Sequence, residues 1–361
     1  MRGGNSRFAL SLRSVALTAT SDTATDIRPE LRARVVAHSN LVRDYVELFK
    51  VRVSTMVLIT SAAGFYLGCL RSGISPFNLG AVKALAGITA VTCGSSALNQ
   101  VLERKTDRLM HRTQDRPMAA GRISLVHGLI IGFLATFAGS LYLARACNPL
   151  TGTLTLLTAV AYVAIYTPLK RVSPINTFIG AFPGALPPLI GWTAARGIIE
   201  WPAVALFAIL FVWQFPHFMA IGWMYRTDYA RAGIRLTATL PDARYGARSS
   251  GVQAVFYAVL MVAAARWPFS LGITGHAYAI AATVLSVGYL WFAIRFARSA
   301  FAVDGYARSA SSGPQLVPAA TPEESHDAAF LPARHLLRAS VIYLPLLLAA
   351  MMLDARGRLL F

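Results

Sequence analysis

Charged residues are scarce in this chain: they make up 14% of its 361 residues, whereas hydrophobic residues make up 55%. The surface of a water-soluble protein needs more charge than this, so a soluble globular fold is excluded. Acidic residues are the scarcest, with 16 Asp and Glu against 34 Lys and Arg. Such a basic excess suggests nucleic acid in a soluble protein. In a membrane protein the position of each charge matters more, and we expect no nucleic-acid partner.

Cysteine is also rare, with three residues in the whole chain. Cys69, Cys93 and Cys147 lie in or beside apolar stretches and lack the short spacing of cysteine metal sites. The cysteines therefore indicate no metal centre and carry no information on redox chemistry.

The first 40 residues contain no apolar stretch long enough to cross a membrane. Arg2, Arg7 and Arg13 occur there among several Ser and Thr without an acid, a composition that resembles a transit peptide. Acids then follow at Asp22 and Asp26, which favours a disordered bacterial tail. We therefore expect an integral protein of the bacterial inner membrane, with the mitochondrial inner membrane as the alternative.

Long apolar stretches dominate the rest of the chain. A helix needs about 20 apolar residues to cross a hydrocarbon layer about 30 Å thick. Nine stretches approach this length, at 53–70, 82–101, 124–144, 150–166, 175–195, 200–222, 252–271, 276–294 and 338–353. The last is short, and a tilted or interfacial helix is its alternative. The sequence predicts an all-α polytopic membrane protein with about nine transmembrane helices around a central apolar cavity.

The distribution of positive charge predicts the orientation of these helices, because Lys and Arg accumulate in cytoplasmic loops. With the amino terminus inside, 27 of the 34 Lys and Arg fall on the inner side, which predicts an N-in, C-out topology. We expect a transmembrane domain at 45–353 between a flexible tail at 1–44 and a C-terminal tail at 354–361. Abundant Ser, Pro and Ala predict a flexible insert at 304–334.

One polar stripe ends the second apolar stretch, where Asn99, Glu103 and Asp107 recur every four residues. On a helix this spacing offsets successive side chains by only about 40°, so their oxygens can converge. Mg²⁺ prefers oxygen ligands and is usually held by one or two carboxylates together with substrate phosphates. The alternative is that these acids only pair with neighbouring bases on a solvated helix end. Arg112 and Arg116 follow closely and favour an adjoining anion site.

A second polar cluster follows the fourth apolar stretch and contains Tyr166, Lys170, Arg171 and Asn176. The two basic residues can anchor a diphosphate, or they can serve only as topology signals. Several Gly and Pro follow between 180 and 191. They predict a kinked helix, which a membrane tolerates where the backbone lines an enclosed cavity.

A third cluster lies in and after the sixth stretch. Gln214 and His217 are polar residues within an apolar span, which is costly unless they find partners or face a cavity. A packed, hydrogen-bonded histidine is the alternative to a functional His217. Asp228 follows the span and can complete a metal site opposite Asp107, or pair with Arg226 or Arg231.

Together the three clusters resemble the protohaem IX farnesyltransferase family, also called haem O synthases, of the intramembrane aromatic prenyltransferase (UbiA-type) superfamily. The resemblance covers about 44–343. It is carried by N-x-x-x-E-x-x-x-D-x-x-M-x-R-T-x-x-R-P from Asn99, Y-T-P-L-K-R from Tyr166, W-Q-x-P-H-F from Trp213, and Asp228-Tyr229. Two elements differ from the family pattern: Lys50-Val51-Arg52 lacks the usual Pro, and Arg235 follows Gly233-Ile234 where a Pro is usual.

The resemblance implies transfer of the farnesyl group of farnesyl diphosphate to a vinyl group of haem B, with water adding, to form haem O for the haem A of terminal oxidases. It implies catalytic and Mg²⁺-binding roles for Asn99, Glu103, Asp107 and Asp228. It further implies that His217 contacts haem and that diphosphate is bound by Lys50, Arg112, Arg116, Lys170 and Arg171. Haem B, farnesyl diphosphate, the bilayer and the downstream haem A synthase are the implied partners.

Two other functions fit part of the pattern. A prenyltransferase acting on a quinone precursor or a chlorophyll-type ring would use the same metal stripe. A transporter also contains intramembrane acids and kinked helices. Transporters commonly show internal repeats with a site near the midplane, whereas this chain shows no convincing repeat and its acids fall at one membrane face.

Overall fold

The computed structural model describes residues 41–240, 243–309 and 322–359, and within these ranges the protein is helical with no strand. Residues 1–40 of the predicted tail (1–44), the middle of the predicted insert (310–321) and residues 360–361 lie outside the described residues. A short helix, Leu41–Leu48, comes first. From Leu48 onward the chain packs as one unit.

Nine of the helices in the described ranges are long and apolar enough to cross a membrane. We number these spans 1 to 9, and in chain order they are Val51–Arg71, Leu79–Asp107, Leu125–Ala146, Pro149–Leu169, Asn176–Arg196, Trp201–Met224, Tyr245–Ser270, His276–Ala302 and Phe330–Ala355. The predicted fold class is therefore confirmed. The N-in, C-out orientation stays a prediction.

Span 9 is longer than its apolar stretch at 338–353 suggested. It belongs to a helix that runs over Pro322–Leu359, so a short interfacial helix is not what the structure shows. The helix of span 8 likewise continues to Ser309. Both described ends of the predicted insert are therefore helical, and the predicted C-terminal tail begins within the last helix.

Local sequence explains where several spans begin. Span 2 begins after Asn78, span 3 after Ser124 and span 4 after Asn148. In each case the preceding side chain accepts a hydrogen bond from a backbone N–H of the first turn, which satisfies one of the donors that a helix start leaves unpaired. Each cap therefore marks the point where a polar loop ends and a membrane-spanning helix begins.

Proline reshapes the two spans that border the second polar cluster. Span 4 winds as a π-helix over Ala161–Tyr166, and the backbone N–H of Thr167 bonds to the carbonyl of Tyr162, just before Pro168. Span 5 breaks at Leu186, where Pro187 begins its second half without an N–H to donate. The predicted kink in span 5 is confirmed.

Glycine lets spans 1 and 5 contact each other through their backbones. A Cβ on Gly64 would lie 1.9 Å from the carbonyl oxygen of Pro188, and one on Gly191 would lie 1.8 Å from that of Ser61. Real Cβ atoms do not approach this closely, so only glycine fits. This contact and a core that includes Trp192 fill one end of the bundle, and the polar clusters lie at the other end of these spans.

Candidate active site

A cavity of about 220 Å³ opens where span 1 begins and spans 2 and 4 end. Two carboxylates and four basic side chains line it: Glu103, Asp107, Lys50, Arg112, Arg116 and Lys170. Much of the remaining wall is apolar and comprises Met110, Phe218, Met219, Ile221, Ile234 and Leu236. Six of the ten predicted site residues are thus brought together, next to a surface suited to a hydrocarbon chain.

The first ion pair in the cavity joins span 2 to the end of span 4. Lys170 Nζ donates to Glu103 Oε1 at 2.7 Å, and both side chains are largely buried. Lys170 also lies over the ring of Tyr166, 4.4 Å from its centroid. Burial lowers the pKa of Lys170, but Tyr166 and Glu103 outweigh this and leave the pKa above its ordinary value. Lys170 is therefore held as a cation.

The second ion pair closes the loop after span 2. Arg116 donates from one guanidinium nitrogen to both oxygens of Asp107, at 3.0 and 2.9 Å. Asp107 is 1% exposed and Arg116 is 19% exposed. The Thr113 hydroxyl donates to the backbone carbonyl of Asp107 at 3.0 Å. The loop thereby folds back on the helix end and points its arginine into the cavity.

Asn99 lies deeper than the two acids and does not line the cavity. Its Oδ1 accepts a hydrogen bond from Lys50 Nζ, and its Nδ2 donates to Thr167 Oγ1 at 2.9 Å. Lys50 also donates to the Tyr162 hydroxyl at 3.3 Å. Asn99 therefore ties the ends of spans 1 and 4 to span 2. Burial, with help from Arg116, lowers the pKa of Lys50 to about 7.

Arg112 reaches the cavity from its exposed rim. It donates to the Tyr229 hydroxyl at 3.3 Å and lies 5.1 Å from the ring centroid of Tyr225. Burial raises the pKa of Tyr229, which keeps its hydroxyl protonated. Among the described residues neither Arg112 nor Lys50 pairs with a carboxylate, so both cations are open to an anionic ligand.

Besides Asn99, three predicted site residues lie outside the cavity lining. Asp228 pairs with Arg231 three residues further on, which is the alternative that its sequence context offered. Arg171 donates to Thr106 Oγ1. His217 lies on span 6 and bonds to span 9. The proposed metal role of Asp228 and haem role of His217 stay predictions.

Tyr162 is a site residue that sequence reasoning missed. The π-helix of span 4 stacks its ring on that of Tyr166, with centroids 5.9 Å apart and planes at 24°. The signal was present as two tyrosines four residues apart before Pro168, since a helix turn distorted by proline is a usual origin of such local unwinding.

The donor set of the cavity fits Mg²⁺ bound together with a diphosphate. Within the described ranges no group of three or more His, Cys, Asp or Glu could hold a metal ion. Glu103 and Asp107 nevertheless line one cavity with four cations. Mg²⁺ commonly binds through one or two carboxylates and takes its other ligands from water and substrate phosphates. The cavity therefore suits a metal that arrives with its phosphate ligand.

Comparison with protein families gives a match to the UbiA prenyltransferase family over residues 57–308. A protoheme IX farnesyltransferase of Koribacter versatilis (strain Ellin345) is 43% identical over 316 residues, which is 88% of this chain and 94% of the relative. The protoheme IX farnesyltransferase of Solibacter usitatus (strain Ellin6076) is 35% identical over 325 residues, 88% of this chain and all of the relative.

Solved structures share the fold at low sequence identity. A digeranylgeranylglyceryl phosphate synthase superimposes with a TM-score of 0.65 at 16% identity, covering 88% of this chain and 99% of that one. A UbiA homologue from Archaeoglobus fulgidus, bound to GPP and Mg²⁺, superimposes with a TM-score of 0.52 at 16% identity, covering 84% and 99%. At this identity the likeness supports the helical architecture alone.

Proposed function

The chain belongs to the UbiA prenyltransferase family and is a membrane-embedded prenyltransferase, and from this premise we propose that it farnesylates haem B. The farnesyl group of farnesyl diphosphate is joined to a vinyl group of haem B, water adds, and haem O and diphosphate are formed. Relatives named protoheme IX farnesyltransferase match this chain over most of its length, which supports the haem acceptor.

The observation that carries prenyl transfer is the cavity in which four cations and two carboxylates face an apolar wall. When diphosphate departs, the bond between the allylic carbon and the diphosphate oxygen breaks, and negative charge builds on that oxygen. Arg112 and Arg116 suit phosphate oxygens because a guanidinium can donate two parallel hydrogen bonds. Lys50 and Lys170 add point charges. The cations thus stabilise charge that develops during the reaction.

Glu103 and Asp107 are the residues that would hold Mg²⁺ beside the diphosphate. When bound, the ion supplies further positive charge to the leaving group. Asn99 contributes by fixing Lys50 at the entrance of span 1. Asp228 contributes a ligand once it separates from Arg231, and Arg171 holds the helix end against Thr106.

The other half of the reaction needs a site without water. Loss of diphosphate leaves an allylic cation, which water would quench before the vinyl carbon attacks. Phe218 and Met219 belong to the apolar part of the cavity wall, and Tyr166 lies within the same lining. Apolar side chains exclude water, and an aromatic face attracts a cation. Haem B approaches this wall, with His217 as its proposed contact on span 6.

For the cellular setting we propose the bacterial inner membrane with the cavity on the cytoplasmic side. The excess of Lys and Arg on that side supports an N-in, C-out orientation. The matching relatives come from bacteria. Haem O would pass to the enzyme that converts it to haem A, since a membrane-bound product is best received by a membrane-bound enzyme.

A direct assay tests this function. Membranes that carry the chain are incubated with haem B, farnesyl diphosphate and Mg²⁺. The haems are then separated by chromatography, and their masses are measured by mass spectrometry. We expect a haem heavier by one farnesyl group and one hydroxyl group, since the second proton of the added water is released, and we expect it only when haem B, farnesyl diphosphate and Mg²⁺ are all present. Absence of this product from a folded, monodisperse protein would reject the function.

A pair of lysine variants ties the activity to the cavity. Lys170→Met removes a buried cation that pairs with Glu103, and we expect product formation to fall about 100-fold. Lys105→Met removes an exposed lysine at the end of span 2 that does not line the cavity, and we expect activity to stay within about twofold. Equal losses in the two variants would contradict the assignment of the cavity.

A further inference from the structure

His217 makes a hydrogen bond whose direction the structure determines. Its Nδ1 lies 2.7 Å from Ser340 Oγ, a contact between spans 6 and 9. The ring also stacks on Trp213, with centroids 4.9 Å apart and planes at 25°. By itself this geometry allows either atom to donate.

The single proton of the Ser340 hydroxyl is already used. Ser340 Oγ donates to the carbonyl oxygen of Leu337 at 2.6 Å, within its own helix. A hydroxyl has one proton and two lone pairs, so towards His217 this oxygen is an acceptor. His217 Nδ1 must therefore carry the proton. In a neutral imidazole the other nitrogen, Nε2, then holds the lone pair.

The same serine also holds span 6 through its backbone. Trp213 Nε1 donates to the Ser340 carbonyl at 2.9 Å, and the Tyr289 hydroxyl from span 8 donates to the Trp213 carbonyl at 3.1 Å. Trp213, whose indole stacks on His217, is thus fixed through its indole N–H and through its backbone carbonyl. With one face against Trp213 and Nδ1 bonded to Ser340, the imidazole has little freedom to rotate.

His217 Nε2 is the group that remains available. No hydrogen bond to it occurs within the described part of the chain, and it is not among the fully buried unpaired polar atoms there. A polar atom in an apolar span that lacks a partner is costly unless a ligand meets it. A histidine that ligates a metal usually donates its other N–H to a fixed acceptor, which orients the ring and raises the basicity of the ligand.

We infer that Ser340 is a positioning residue that holds His217 in the Nδ1–H form, so that Nε2 presents its lone pair to the iron of haem B. This inference rests on the proposed function, because haem is the substrate whose iron would accept the lone pair. The step is coordination alone: the nitrogen donates an electron pair, and no proton or bond of the protein changes. The alternative is that Ser340 and His217 only hold spans 6 and 9 together, in which case haem binding would not depend on the tautomer of His217.

The tautomer is measured first, on the full chain in nanodiscs without haem. ¹⁵N-labelled histidine NMR distinguishes a protonated from an unprotonated ring nitrogen, and the spectrum of His217→Gln identifies the His217 signals among the seven histidines. We expect a protonated Nδ1 and an unprotonated Nε2. A protonated Nε2 in the wild-type chain would overturn the inference without any variant having to fold.

Haem titration followed by absorption spectroscopy tests the consequence. Ser340→Ala is expected to weaken haem binding about tenfold and to shift the Soret band, as loss of an outer-shell partner does at metal sites. Ser340→Thr keeps the hydroxyl and should restore both. Ser250→Ala removes a buried hydroxyl that bonds only within its own helix, at 2.7 Å from Gly246 O, and should leave haem binding unchanged.

The outcomes separate the inference from the function. A wild-type chain that forms no farnesylated haem rejects the proposed function. A chain that farnesylates haem while Ser340→Ala keeps wild-type haem affinity and Soret band rejects the inference alone. Equal weakening by Ser250→Ala also rejects it, because the effect would then follow from the loss of any buried hydroxyl.

Discussion

Asp107→Asn separates the chemical role of this acid from its role in folding. Asparagine keeps the shape of the side chain and one oxygen acceptor, but it removes the charge. In the structure Asp107 is 1% exposed and receives both of its hydrogen bonds from one nitrogen of Arg116. The substitution therefore leaves the packing intact while it removes the ion pair and one of the two acceptor oxygens that Arg116 contacts.

The two expected effects differ in size. Hydrogen bonds to charged groups contribute about 1.5–3 kcal/mol and ordinary ones about 0.5–1.5 kcal/mol, so loss of the ion pair and of one hydrogen bond should lower the free energy of unfolding by about 1–2 kcal/mol. Arg116 remains 19% exposed and can be solvated, which keeps this loss moderate. Removing a group that acts on developing charge typically costs 100- to 1000-fold in rate, or about 3–4 kcal/mol. Activity should therefore fall much further than stability.

The assay measures initial rates of haem farnesylation over a range of Mg²⁺ and farnesyl diphosphate concentrations. For Asp107→Asn we expect kcat to fall at least about 100-fold and the Mg²⁺ requirement to rise. Thermal denaturation in the same detergent reports stability. Asp115→Asn is the matched control, because this acid is exposed in the same loop and does not line the cavity.

Either of two results would refute the reasoning. Asp107→Asn with kcat within about threefold of wild type would show that the acid only supports Arg116, since a group that acts on developing charge costs far more. An equal loss in Asp115→Asn would show that the effect comes from the charge of the loop as a whole. In both cases the proposed Mg²⁺ site would have to be abandoned, while the family assignment would stand.

Two further predictions concern stability. Gly191→Ala should lower the midpoint of thermal denaturation, because its Cβ would lie 1.8 Å from the Ser61 carbonyl oxygen. Overpacking of this kind costs about 1–3 kcal/mol. Gly288→Ala is the control and should leave the midpoint unchanged, because its Cβ would meet no atom within 4 Å. The Arg196–Glu200 ion pair lowers the pKa of Glu200 through the arginine hydrogen bond. This ion pair should add about 0.5 kcal/mol to the free energy of unfolding. The contribution should be present above the ordinary glutamate pKa of about 4.3 and be lost as the pH falls through the lowered pKa of the folded state. Plots of stability against pH for wild type and Glu200→Gln should therefore converge at acidic pH.

The spans were predictable because each apolar stretch is long enough to cross a bilayer and ends at polar caps or turns. Span 9 shows the limit of that reasoning. Its first turns contain Arg334, His335 and Arg338, which hydropathy excludes, yet the helix extends through them. Helix continuation depends on packing against spans 6 and 8, and a hydropathy pattern does not contain that packing.

The polar stripe of span 2 was predictable as a shared face. Asn99 and Asp107 are eight residues apart, which on a helix separates them by about 12 Å along the axis and about 80° around it. Glu103 and Asp107 reach the cavity, whereas Asn99 meets Lys50 and Thr167 below it. A spacing of four predicts neighbours on one face but not the depth of each, and the role of all three as ligands of one ion stays a prediction.

The sequence could not predict which residues that are distant along the chain form hydrogen-bonded pairs. Lys170 meets Glu103 from 67 residues away, and His217 meets Ser340 from 123 residues away. The motifs identified both Glu103 and Lys170, and they identified His217 but not Ser340. Only the packing of spans 2 with 4 and 6 with 9 shows which residues are paired. Asp228 is the converse case, since an acid three residues before Arg231 on a helix is a regular local pair.

The pairing of acids with bases in the cavity explains how so many charges can lie at the edge of a membrane domain. An unpaired buried charge is strongly destabilising, whereas Glu103 with Lys170 and Asp107 with Arg116 compensate each other before any substrate binds. The remaining cations, Lys50 and Arg112, give the cavity a positive excess that attracts a polyanion. When a diphosphate enters with Mg²⁺, its phosphate oxygens can pair with the basic side chains, and the Mg²⁺ ion can take the place of those bases beside the acids. The two acids are therefore compensated both before and after substrate binds, whereas Lys50 and Arg112 gain an anionic partner only when the diphosphate enters.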